Sequence, residues 1–242
     1  MQIILVSGAL SPPVGLVAAS LIYMTFLFTH CGGFKLLSLK AFFLCGMLLT
    51  IIMNDILVSS GIPSYALSVG GAISQLFVLS LFEEFAKLLS IFAIARYSPR
   101  PALEIHAARS TDFKTFVYCG VATGFGFAII ENVIFYYLHC KDIAALPRVV
   151  CFRTTMLCLH PMFTGLAALI FAKSRDWIKS KTSRFCTAFL ISTIPHFSWN
   201  VFAHYFQRMT ELNQTIYLNS LVIVPWVGLL VLIWKVKGMV DV

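Results

Sequence analysis

Residues 120–137 read GVATGFGFAIIENVIFYY, a stretch in which Glu131 is the sole ionisable side chain other than two tyrosines. A run this long and this apolar crosses the hydrocarbon core of a bilayer as a helix. Gly120 and Gly124 form a GxxxG step, and with Gly126 they thin the helix enough for neighbours to approach closely. Outward from it, apolar runs of spanning length lie at about 3–29, 37–58, 66–95, 115–138, 149–172, 185–206 and 215–234. The chain therefore reads as an all-α polytopic membrane protein of about seven transmembrane helices, with residues 1–242 forming one integral-membrane domain. Pro12 and Pro13 predict a kink or a late start for the first span, and Gly70 and Gly71 a tilted or re-entrant start for the third.

Composition agrees. Of 242 residues 59% are apolar and 12% charged, about half the charge density of a soluble domain. The net charge of +8 is not a nucleic-acid signature, because no basic block interleaved with aromatics lies on a polar surface. It records topology instead. Thirteen of the 18 Lys and Arg residues fall in alternate loops and three in the others, which by the positive-inside rule puts the N-terminus outside and the C-terminus in the cytoplasm. The N-terminal stretch MQIILVSGALSPP lacks a basic n-region, so the first helix is expected to stay. The loop YSPRPALEIHAARSTDFK at 97–114 is the most polar stretch and could carry a short interfacial helix. The seven cysteines show no CxxC spacing and read as small core hydrophobes.

A charged group near the bilayer centre costs about 2.5–3.5 kcal/mol, so each one inside a span needs a partner or a purpose. The third span reads LFEEFAKLL, and Lys87 falls about 40° from Glu83 and about 60° from Glu84 around the helix, within reach of either. The two glutamates diverge by about 100° and are expected to have different roles. Glu131 and Asn132 lie in the fourth span, Arg153 and His160 in the fifth, and His196 and Asn200, four apart and so on one face, in the sixth. Each of these histidines adjoins a proline, Pro161 or Pro195, that interrupts the helical ladder. Counted from the flanking charges, Glu83, Glu131, His160 and His196 lie about 18–26 Å from the cytoplasmic edge, which predicts one polar cluster opening outward.

The segments EEFAK at 83–87, FAIIEN at 127–132, HPMFTG at 160–165 and HFSWN at 196–200 together resemble the PrsW family of intramembrane proteases. That family looks related to the CAAX prenyl endopeptidases and the scaffold subunit of gamma-secretase. The likeness covers about 80–205. It departs at Thr115 and Phe116, where family members often carry an Asp-Gly pair. The resemblance implies an endopeptidase; bacterial members are associated with cleaving a membrane-anchored anti-sigma factor on its outer side. The depth of the cluster points to a single-pass membrane protein as substrate, and the positive-inside bias of a compact seven-span chain to the bacterial cytoplasmic membrane as location, an organelle membrane being the alternative.

Peptide hydrolysis needs an activated water, an oxyanion stabiliser and a proton donor for the leaving amine. The expected catalytic set is Glu83, Glu84, Glu131, His160 and His196: one of the paired glutamates as general base, the histidines as donors, and Glu131 positioning the water. Lys87, Asn132 and Asn200 support them, with Lys87 holding the unused glutamate. No cofactor is required by this scheme. Zinc is the alternative, since two histidines and a carboxylate suit an open catalytic site, although HExxH spacing is lacking. No GxSxG elbow points to a serine nucleophile. Intramembrane ionisable residues also suit a proton- or ion-coupled transporter or a non-catalytic scaffold, but no inverted repeat supports transport. A reporter fused to the C-terminus is expected to behave as cytoplasmic; an extracytoplasmic signal would reject the topology.

Overall fold

Helices that are apolar on every side have no single hydrophobic stripe to bury, so side-chain size and the few polar groups decide how they pack. The computed structural model describes residues 36–59, 69–97, 110–139, 146–174, 177–206, 224–225 and 227–236. Regular structure among them is helical throughout: α1 (Leu36–Ser59), α2 (Val69–Tyr97), α3 (Ser110–His139), α4 (Leu146–Lys173), α5 (Lys181–Phe206) and the shorter α6 (Val227–Val236). The expected first span at 3–29, with Pro12 and Pro13, and most of the 97–114 loop lie outside the described residues. At the start of the third expected span, Gly70 and Gly71 fall inside continuous helix, since α2 already begins at Val69. Both α4 and α5 run unbroken through Pro161 and Pro195.

Phe116–Ile134 of α3 is the one described stretch long and apolar enough to cross a membrane by length and composition alone. Phe42–Ile52, Leu157–Lys173 and Val227–Val236 are shorter apolar stretches. In α2 the reason is plain, because Glu83, Glu84 and Lys87 interrupt its apolar run. Outward-facing Leu48, Ile52, Phe82, Leu89, Leu190 and Ile194 are nevertheless exposed, an apolar surface that fits lipid rather than water.

α3 is the central helix, packed along α1 on one side and α4 on the other, while α5 touches α4 and α2. Glycines set its distances. A Cβ on Gly46 of α1 would strike the carbonyl oxygen of Thr123, and one on Gly126 would strike that of Phe43, so α1 and α3 meet backbone to backbone. On the opposite side a Cβ on Gly124 would lie 2.6 Å from both C and O of His160. The close contact read from the GxxxG step is thus with α4, and it falls at a candidate site residue.

The ends of the helices fix their directions. Phe92 near the end of α2, Phe116 near the start of α3, Phe171 near the end of α4 and Phe185 near the start of α5 form one aromatic cluster, with Phe92 and Phe171 centroids 4.3 Å apart. The four helices therefore alternate up and down. Arg184 lies over Phe171 at 5.0 Å, so this is also the end that carries basic side chains. α6 runs alongside α4 in the same direction, Gly228 meeting Met162 and Leu232 meeting Gly165, which puts its last residues at that end too. Trp177 and Trp234, each 67% exposed, flank it, as aromatic residues do at membrane interfaces. Of the described cysteines, Cys119 and Cys158 are buried, Cys45 is half-buried and Cys186 is exposed; all four are free thiols. Cys186 corrects the reading of cysteines as core residues, since its helix turns that position outward.

Gly124→Ala should destabilise the bundle by about 1–3 kcal/mol, because the atoms in the way are backbone and cannot rotate aside. Thermal unfolding in detergent measures it, and an unchanged midpoint would mean that α3 and α4 are not in backbone contact at His160.

Candidate active site

About 14–22 Å along the helices from the aromatic cluster, α2, α3, α4 and α5 each turn ionisable side chains inward. Glu83, Glu84, Lys87, His160 and His196 are all buried, and Glu131 is 28% exposed. Lys87 Nζ donates to Glu84 Oε1 at 2.5 Å and to His160 Nδ1 at 2.9 Å. His160 Nε2 meets Glu131 Oε2 at 2.6 Å. His196 Nδ1 meets Glu84 Oε1 at 2.9 Å, and its Nε2 lies 3.5 Å from Glu83 Oε2. The two imidazoles stand edge to face with centroids 4.9 Å apart. Six ionisable side chains from four helices thus form one chain of contacts, running from Glu131 at the surface to buried Glu83.

Donor and acceptor chemistry orders this chain. An ammonium has donors only, so His160 Nδ1 accepts, its ring proton sits on Nε2, and Nε2 donates to Glu131. Glu84 Oε1 accepts from Lys87 and from His196 Nδ1, which in the neutral ring leaves a lone pair on His196 Nε2, turned toward Glu83. Glu83 Oε2 is buried and has no hydrogen-bond partner among the described residues. The two neighbouring glutamates are therefore unlike at one oxygen: Oε1 of Glu84 takes two donors, its Oε2 is buried and unbonded among the described residues as Glu83 Oε2 is, and Glu83 Oε2 stands 3.5 Å from His196 Nε2.

The remaining sequence-selected residues divide. Asn200 Nδ2 donates to Ser80 Oγ at 3.0 Å, one helical turn before the glutamates. Asn132 does not join the cluster: its Nδ2 bonds the Ala128 carbonyl at 2.8 Å on its own helix. The side chain of Arg153 lies outside the described residues. Sequence reasoning passed over three contributors. Ser80 holds Asn200; Phe127 lies under Lys87 with its centroid 4.5 Å from Nζ; and Thr50 of α1 reaches the Phe127 carbonyl at 3.2 Å. A serine or a phenylalanine in an apolar helix carries no local signal, although Ser80 does fall one turn from the EE pair and Phe127 one turn from Glu131.

Glu83, His160 and His196 each offer one ligand atom, all within 4.8 Å of one another. Glu83 Oε2 and His196 Nε2 have lone pairs to give, whereas His160 would exchange one present hydrogen bond for ligation. With that exchange the residues fit a divalent metal bound by one carboxylate and two imidazoles.

The four helices that converge these Glu and His side chains lie within the stretch matched by a protein-family comparison. Residues 35–232 match the protein family described as PrsW family intramembrane metalloprotease. The chain belongs to the PrsW family. The match takes in α1 to α5 and most of α6, and it establishes membership of a family of membrane peptidases. Neither the search of curated proteins nor that of solved structures found a match.

Within this PrsW member, removing the cation should be costly. Lys87→Met leaves Glu84 buried against His196 alone, and loss of one partner of a buried pair costs about 3–5 kcal/mol. Adding Glu84→Gln to it should restore part of the loss. Unfolding midpoints of the two variants in detergent decide this, and a double variant less stable than Lys87→Met would show that the pair is not the source.

Proposed function

We propose that this chain is an intramembrane endopeptidase that hydrolyses a peptide bond in a single-pass, membrane-anchored protein, with Glu83 as general base on water. The observation that carries the reading is the buried pair of atoms Glu83 Oε2 and His196 Nε2, 3.5 Å apart; with the ring neutral, both are acceptors. Two acceptors at that separation can share one water, each taking one of its protons, with the water's own lone pair left for attack on a carbonyl. Glu83 takes the proton during attack and returns it to the leaving amine. His160 Nε2–H and the second amide proton of Asn200 are the donors available to the developing oxyanion, and Glu131 receives the His160 proton between turnovers. Glu84 and Lys87 touch neither water nor substrate in this scheme; they hold His196 and His160 in the tautomers it needs.

Where zinc is held, Glu83, His160 and His196 are the residues that would bind it, and it would supply Lewis acidity to a carbonyl or a bound water. The same four helices suit a seven-span protein of the bacterial cytoplasmic membrane, with the site nearer its outer face. A tethered helix or its juxtamembrane stalk reaches such depth most readily. Regulated cleavage of an anti-sigma-factor-like protein is the role this placement fits.

The test compares membranes from cells expressing wild type or Glu83→Gln at matched levels, mapping peptide termini by mass spectrometry. A juxtamembrane terminus present in wild type should fall by about 100- to 10,000-fold, the range for loss of a general base. Unchanged termini with both proteins folded would remove the reading. Cleavage lost on chelation and restored by zinc would assign the water to the metal rather than to Glu83 alone.

A further inference from the structure

We infer that Phe127 is a positioning residue for the reaction, its ring face serving as a third seat for the buried Lys87 ammonium between Glu84 and His160. The inference rests on the peptidase reading above. Lys87 Nζ is 4.5 Å from the Phe127 centroid while bonded to Glu84 Oε1 and His160 Nδ1. A buried ammonium has three protons to satisfy, and two go to those acceptors. Lys87 itself is fully buried, and the aromatic face set against it attracts a cation, most strongly where water is excluded.

The same ring lies 5.2 Å from that of His160, so Phe127 constrains both members of the contact it backs. Its own position is held from behind. Thr50 Oγ1 lies 2.9 Å from the Gly46 carbonyl and 3.2 Å from the Phe127 carbonyl, and Gly126 brings α1 against the same turn of α3. A helix that contributes no ionisable group to the cluster thereby fixes the seat of its cation. The consequence for the reaction is one step removed: Lys87 on His160 Nδ1 keeps the proton on Nε2, and that proton is the donor the oxyanion needs.

Fluorination separates this role from packing, because each fluorine weakens the attraction of the ring face for a cation while scarcely altering its size. Phe127 in the full chain is replaced by mono-, di- and trifluorophenylalanine, in wild type and in the Lys87→Met background, and reconstituted in detergent. The unfolding midpoint should fall stepwise with fluorine number in the lysine protein and stay level in the Lys87→Met protein. In the lysine protein kcat for the juxtamembrane cleavage should fall by about tenfold across the series with KM unchanged. Equal midpoint changes in both backgrounds would overturn the cation seat, and a level kcat would overturn its part in the reaction. Absence of cleavage by wild type would instead overturn the peptidase reading, while the midpoint series still tests the seat.

Discussion

An ammonium with no exposed surface, held between a carboxylate and an imidazole, is the constraint to which the rest of this protein conforms. Lys87 belongs to α2, its carboxylate to the same helix one turn earlier, and its imidazole to α4. Neither charge is tolerable in hydrocarbon alone, and neither helix can shift along the other without breaking the contact. A buried pair of this kind contributes little net stability compared with apolar packing, because its attraction mainly offsets desolvation. What it contributes is register. With Lys87 in place, donor counting puts the His160 proton on Nε2, and Glu84 Oε1 fixes His196 Nδ1 as a donor.

Register of that kind demands close helices, and the glycines supply them. The His160 contact to Glu131 at 2.6 Å spans two helices, and neither side chain is long. It forms because Gly124 lets α3 rest against the backbone of α4 at His160 itself. On the far side of α3, Gly46 and Gly126 let α1 press against the turn that carries Phe127. Membrane helices gain no hydrophobic free energy by meeting, so van der Waals contact and interhelical hydrogen bonds must hold them. Here the two act at the same places: the small residues bring backbones together where the polar contacts lie.

This arrangement was legible in the sequence to an uneven degree. Helices announce themselves by length and apolarity, and the stretches expected from 37 onward are helical where they are described, although Phe116–Ile134 is the one described stretch long and apolar enough by itself to cross a membrane. The ionisable residues announce themselves by being out of place, and Glu83, Glu84, Glu131, His160 and His196 all meet in one cluster. Their pairing was not legible. Lys87 lies within reach of either glutamate by helical angle, and only the position of α5, which brings His196 onto Glu84 Oε1, distinguishes them. Asn132 shows the converse: adjacent to Glu131 in sequence, it lies about 100° around the helix, its Nδ2 bonded to its own helix and its Oδ1 buried without a hydrogen-bond partner among the described residues. Ser80, Phe127 and Thr50 escaped because their types are ordinary inside an apolar helix. Gly70 and Gly71 stand in the first described turn of α2, and the residues just before them lie outside the described ones.

The difference between two adjacent glutamates carries the functional argument furthest. In the proposed scheme the base is the carboxylate that no cation holds: Oε1 of Glu84 is engaged by an ammonium and an imidazole, and although its Oε2 is unbonded, the adjacent ammonium stabilises the negative charge of the whole carboxylate. A base left entirely alone in hydrocarbon would not stay charged. On the proposed reading, placing the two carboxylates on successive residues resolves the conflict: the 100° turn between them lets Glu84 hold the cation whose field reaches Glu83, while Glu83 turns its unbonded Oε2 toward His196 Nε2. The chemistry then depends on a pair of identical side chains made unequal by their partners. The partner that makes them so, Lys87, is itself held by α4 and by the ring of α3, so the inequality is a property of the bundle and not of the EE motif alone.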